Sequence, residues 1–144
     1  MRLLLNIKTM RTYKEIKKEH SDTYSEIMEE CGVFWAFSTE QLKAGIKKIG
    51  ITKENKMVSI GAGGYMPSKN LNKFFKLTKQ ADTKQKKELK TLREEKKTAI
   101  LYELNNFECF YSCDIEPVVD LFKGIYAAKA ILKVYNDNKA YAEN

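Results

Sequence analysis

Val33-Phe-Trp-Ala-Phe37 runs directly into Ser38-x-x-Gln41, and Ser59-Ile-Gly-Ala-Gly-Gly-Tyr-Met-Pro67 follows a short way on. The first block is an aromatic, β-prone run with a helix start fused to its end. Ser38 suits an N-cap, and Gln41 three residues later completes a capping box. The second block ends a β-prone run, Met57-Val-Ser-Ile60, in a cluster of glycines. No single long helix passes through such a region. The order strand, capped helix, strand, glycine loop demands a mixed fold.

Helices are expected on both sides. Tyr13, Ile16, His20, Tyr24, Ile27, Met28 and Cys31 recur at three- and four-residue intervals, with Gly32 as the stop. Leu42, Ile46 and Ile49 continue the capped helix to Gly50. Pro67-Ser68 opens a helix carrying Leu71, Phe74, Phe75 and Leu77, and a long lysine-rich helix is expected over about 83–105, with a mobile hinge at Ala81-Asp82-Thr83 between them. Phe107-Glu-Cys-Phe-Tyr-Ser-Cys113 reads as a third strand. Asp114 and Pro117 start a short helix that ends at Gly124, and 127–142 forms the last one. The fold class is α+β: a small, mostly antiparallel sheet of about three strands packed with four to six helices, one long and lysine-rich. The chain reads as one domain over 1–144, with a core at 12–124. Residues 1–9 are an upstream extension or optional strand, since Met10 offers a second start. Trp35, Phe37, Phe107 and Phe110 are expected in the core.

The 144 residues carry a formal net charge of +7 and are 43% hydrophobic, which suits a folded chain with an acidic partner or simply a soluble surface. No apolar run approaches the ~20 residues of a membrane helix, and Leu3-Leu4-Leu5 is too short for a signal peptide. Three cysteines, an odd number, suggest free thiols in a reducing cytoplasm.

Chemistry-bearing residues are sparse. Gly61, Gly63 and Gly64 with Tyr65 are the first candidate for a binding loop, because glycine amides between a strand and a helix start can cradle phosphate. The segment lacks the spacing of a dinucleotide fingerprint and the Gly-Lys-Ser/Thr of a P-loop; a tight turn needing positive φ accounts for it more simply. Cys31, Cys109, Cys113 and His20 have the letters of a zinc site without a close Cys pair, so buried thiols and a structural histidine are the simpler account. Glu54-x-Lys56 has the letters of a metal-dependent nuclease but lacks an acidic partner on a neighbouring strand; Asp114 reads as a cap and Glu103 as part of a solvated helix face. Lys86, Lys90 and Arg93 form the second candidate, a charged contact face for non-specific nucleic acid or an acidic groove. Only three arginines occur in the chain, which disfavours base-specific reading. No cofactor, no metal and no enzymatic activity are expected.

Phe34-Trp-Ala-Phe-Ser38, Gln41, Gly45, Gly61-Ala-Gly-Gly64-Tyr-Met-Pro67, Glu103-Leu104, Glu108-Cys-Phe-Tyr111 and Asp114 carry a resemblance. The chain resembles a family of small phage and mobile-element proteins known mainly as a domain of unknown function. In that family a Phe-Phe-Ala-Phe-Ser-x-x-Gln-Phe-x-x-Gly block precedes a glycine-glycine turn, a Glu-Leu-x-Asn-x-Glu-Tyr/Cys block and an Asp-led helix. The match runs over about residues 12–122. The Gly61–Pro67 and Glu108–Tyr111 segments are also similar to a type II anti-CRISPR branch, proteins that inhibit Cas9. The resemblance implies a non-enzymatic counter-defence protein whose partner is a CRISPR-associated nuclease or its guide RNA complex. The lysine-rich stretch at 79–97 and the tail after Gly124 depart from the family pattern.

Overall fold

The computed structural model describes residues 11–50 and 56–142. Its first helix, α1, is Tyr13–Glu30, and Gly32 beyond it adopts φ +76°, so that the Val33 N–H reaches the Met28 carbonyl at 2.8 Å. Strand β1 is only Phe34–Trp35, although the Ala36 N–H extends its ladder to the Gly63 carbonyl at 2.8 Å. Helix α2, Thr39–Ile49, starts at Ser38 and stops at Gly50 in the left-handed region, as its sequence signals require.

Strands β2, Met57–Gly61, and β3, Gly64–Pro67, form an antiparallel hairpin, and β1 adds to the other edge of β3, giving the order β1-β3-β2. The glycine cluster is therefore the turn of a hairpin and not a loop leading from strand to helix. Pro67 closes β3 opposite Met57, at a strand end where a missing N–H is tolerated. A single turn of 3-10 helix, Ser68–Asn70, leads into α3, Leu71–Thr91.

Helix α3 runs unbroken through Ala81-Asp82-Thr83, so the expected hinge there is incorrect. Asp82 Oδ1 receives the Tyr24 hydroxyl at 2.6 Å and faces His20 Nε2 at 2.8 Å, and no helix breaker is present. The break falls at Leu92–Arg93, and α4 is Glu94–Asn106. Phe107–Cys113 is not a strand. Helix α5, Cys109–Ser112, lies within it, flanked by Glu108 and Cys113 at φ +55° and +58°. Cys109 and Phe110 both pack inward, Phe110 stacking on Tyr135 at 5.1 Å. Adjacent inward residues suit a helix turn, where a strand would alternate. Helices α6, Glu116–Leu121, and α7, Ala128–Ala142, complete the chain. The architecture is α+β with a three-stranded antiparallel sheet and seven α-helices among the described residues.

Two compact units are present, and the boundary falls inside α1 and inside α3. The helical unit comprises residues 11–18 and 84–142, with a core of Ile16, Leu89, Ile100, Leu104, Phe122 and Ile131. The sheet-bearing unit, Glu19–Thr83, packs Ile27, Cys31 and Met66 against Val58, Leu71 and Phe74. The proposed extension at residues 1–9 and Glu54 of the Glu-x-Lys motif lie outside the described residues.

Candidate functional site

In the sheet-bearing unit the aromatic block and the glycines explain each other. Phe34 and Trp35 point to opposite faces of β1, as strand geometry requires. The Phe34 ring rests on Gly45 of α2: a Cβ there would sit 2.2 Å from its Cε2. Trp35 and Ile60 flank Gly64, each 2.9 Å from the place a Cβ would take. Phe37 lies over Gly63, with Cε1 2.4 Å from that place. Each of the three rings thus occupies space that a side chain on its glycine would fill. The turn also needs left-handed backbone at Gly61, Ala62 and Gly63, with φ of +92°, +52° and +84°.

The capping box fixes the outermost ring. Ser38 Oγ accepts from the Gln41 N–H at 3.1 Å, and Gln41 Oε1 accepts from the Phe37 N–H at 2.7 Å. Phe37 is nevertheless 76% exposed and Trp35 51% exposed, so the expectation that both are core residues is wrong. Phe107 is also exposed, and only Phe110 of the four packs inward. Tyr65, half-buried, stacks on Phe34 at 6.0 Å. Of the candidate residues, Gly63 and Gly64 therefore lie beneath Phe37 and Trp35, which sequence reasoning assigned to the interior, Gly61 shares their turn, and Tyr65 stands with Phe34 on the opposite face of the sheet. The period-2 pattern of the strand was the available signal: a strand of two residues has too little partner area to bury every aromatic beside it. This surface offers apolar rings and a backbone turn. Cradling phosphate at a helix start would need a helix directly after the turn, and β3 stands there.

Lys86, Lys90 and Arg93 lie in the helical unit and are exposed, the first two on α3 and Arg93 in the break before α4. Leu89 on the same stretch of α3 is buried. The Lys86 ammonium lies beside Gly124, 2.9 Å from where a Cβ would be. Lys96 Nζ sits 5.3 Å from the centre of the Tyr126 ring, and the Tyr126 hydroxyl donates to the Leu89 carbonyl at 2.7 Å. Burial pushes the Tyr126 phenol up to about 12.

Glu103 is not on a solvated face. It is 0% exposed, accepts a hydrogen bond from the Tyr13 hydroxyl, and meets Lys17 Nζ at 2.8 Å and Asn106 Nδ2 at 3.1 Å. Burial, followed by this carboxylate, pushes the Tyr13 phenol above its ordinary range. The signal for it was its place beside Ala99, Ile100 and Leu104 on one stripe of α4. The network joins side chains already satisfied by one another, which fits a structural role. Cys31 and Cys109 are buried free thiols pushed up by burial, while Cys113 is exposed and free. Among the described residues, no three His, Cys, Asp or Glu side chains are grouped to hold a metal ion. Also among them, no helix is long and apolar enough to cross a membrane.

The fold and these surfaces define a small α+β protein with an aromatic face and a basic face. The chain belongs to a family of unknown function, DUF7659, whose sequence model matches residues 12–141. No curated protein and no solved structure shows significant similarity to it.

Proposed function

We propose that the chain is a non-enzymatic binding protein that docks on a protein partner through the Trp35–Phe37 face. The observation that carries this reading is the fixing of two exposed rings by the capping box and by the glycines beneath them. Rigid, exposed aromatics lose little entropy on docking and supply much of the affinity of protein interfaces. The sheet-bearing unit holds 8 Lys and Arg against 7 Asp and Glu among its described residues, so charge does not steer this face toward a polyanion.

The resemblance to phage counter-defence proteins supplies the finer reading: the partner is a Cas9-type nuclease or its guide RNA complex, and docking blocks its activity. A chain of net charge +7 is poorly suited to imitate DNA. Inhibition would then proceed by occupying an apolar or acidic surface of the nuclease. Adding the purified protein to cleavage reactions of several type II nucleases tests it. Loss of cleavage that is restored by Trp35→Ala/Phe37→Ala is expected. Uninhibited cleavage throughout removes the nuclease as partner, and full inhibition by the double variant removes the aromatic face.

A further inference from the structure

We infer that the helical unit carries a second, separate site, a basic surface that takes the phosphate backbone of nucleic acid without reading its bases. It lies in the other unit and does not depend on the aromatic face. Positive charge is concentrated here: the described residues of this unit include 15 Lys and Arg against 10 Asp and Glu. Lys86, Lys90, Arg93, Lys97 and Lys123 are all exposed, and none makes an ion pair among the described residues.

Packing gathers them from elements far apart in the chain. Lys86 and Lys90 stand one turn apart on α3, about 6 Å along its axis, and Arg93 follows at the break. The connection between α6 and α7 is pinned to this stretch by the Tyr126–Leu89 hydrogen bond. That connection brings Lys123 next to Gly124, where the Lys86 ammonium lies, and sets Tyr126 under Lys96. The acidic groups of the same elements are partly engaged: Glu88 pairs with Arg11 at 2.8 Å and Glu95 accepts the Tyr13 N–H at 3.0 Å, leaving Glu94, Glu116 and Asp120 exposed. Lysines dominate the cluster. They act as point charges toward phosphate, whereas base reading relies on the forked guanidinium of arginine. A lipid surface fits less well, because a basic helix that lies on a membrane needs an apolar face to insert. The apolar residues of this stretch are turned inward: Leu89 is in the core and Leu92 packs against it.

Fluorescence anisotropy with labelled single-stranded DNA and its duplex, read between about 50 mM and about 200 mM salt, tests the site. Binding at low salt that falls steeply as salt rises is expected. The Lys90→Ala/Arg93→Ala/Lys123→Ala variant should bind at least about tenfold more weakly at low salt, with a salt slope shallower by about two. Lys43→Ala/Lys47→Ala/Lys48→Ala, in the other unit, should bind as the unaltered protein does. Circular dichroism checks that both variants fold, and Lys90→Arg/Lys123→Arg should retain binding. Three results would overturn the site: no binding at low salt, equal weakening by the two triple variants, or tighter binding to phosphatidylserine vesicles than to either DNA.

Discussion

Gly45 has no side chain to contribute, yet its substitution separates two physical effects. Alanine in a helix interior is favoured over glycine by about 1 kcal/mol. Here the Phe34 ring occupies the place of the new methyl. Gly45→Ala is expected to destabilise by about 1–3 kcal/mol through overpacking. In a Phe34→Ala background the same change should stabilise, and urea unfolding of the four proteins reads the reversal. Gly63→Ala differs, because its φ of +84° is strained for alanine whatever lies above it. Removing the Phe37 ring should therefore rescue it only in part. Glu103 is the other residue of consequence. Glu103→Ala would leave the Tyr13 hydroxyl and Lys17 without their acceptor, at a cost of about 1–3 kcal/mol in the same assay. The glycines and the capping pair were legible in the sequence as local chemistry. For Glu103 only the apolar stripe of α4 hinted at burial; its partners Tyr13 and Lys17 stand 90 and 86 residues away, and only packing brings them to it.

Legibility at the element scale followed locality. Helices with their own start and stop signals, such as α2 between Ser38 and Gly50, were readable to the residue. The hairpin was hidden, because Gly-Ala-Gly-Gly before Pro-Ser resembles a loop entering a helix, and Tyr65-Met66 between them is too short to declare a strand. The α3–α4 break was misplaced because Ala81-Asp82-Thr83 is weak helix sequence that tertiary contacts hold. His20 and Tyr24 clamp Asp82 from α1, a restraint that no local pattern encodes. Amide exchange should show it: the amides of 81–83 should be as protected as those of 77–79, with fast exchange confined to Leu92–Glu94. Fast exchange at 81–83 would restore the hinge. Asp82→Ala should lower that protection and cost about 1 kcal/mol of stability.

Three tyrosines tie the stability of the whole molecule to alkaline pH. Burial raises the phenols of Tyr13, Tyr24 and Tyr126, the last to about 12. An unfolded phenol ionises near 10. The neutral form is therefore favoured in the folded chain, and the stabilisation is complete below pH ~10 and lost as pH climbs through the folded values. Unfolding free energy should hold level to about pH 9.5 and then drop, with Tyr126 alone accounting for about 2 kcal/mol by pH 12. Tyr126→Phe should flatten part of that drop in urea titrations made at each pH. The distribution of thiols has a practical consequence. Cys31 and Cys109 are shielded, whereas Cys113 stands in the open at the end of a one-turn helix. A maleimide dye at neutral pH should modify one position in three, with the others yielding only to denaturant. The unaltered polypeptide thus supplies its own attachment point for a fluorescent reporter, and partner searches can begin without engineering a cysteine.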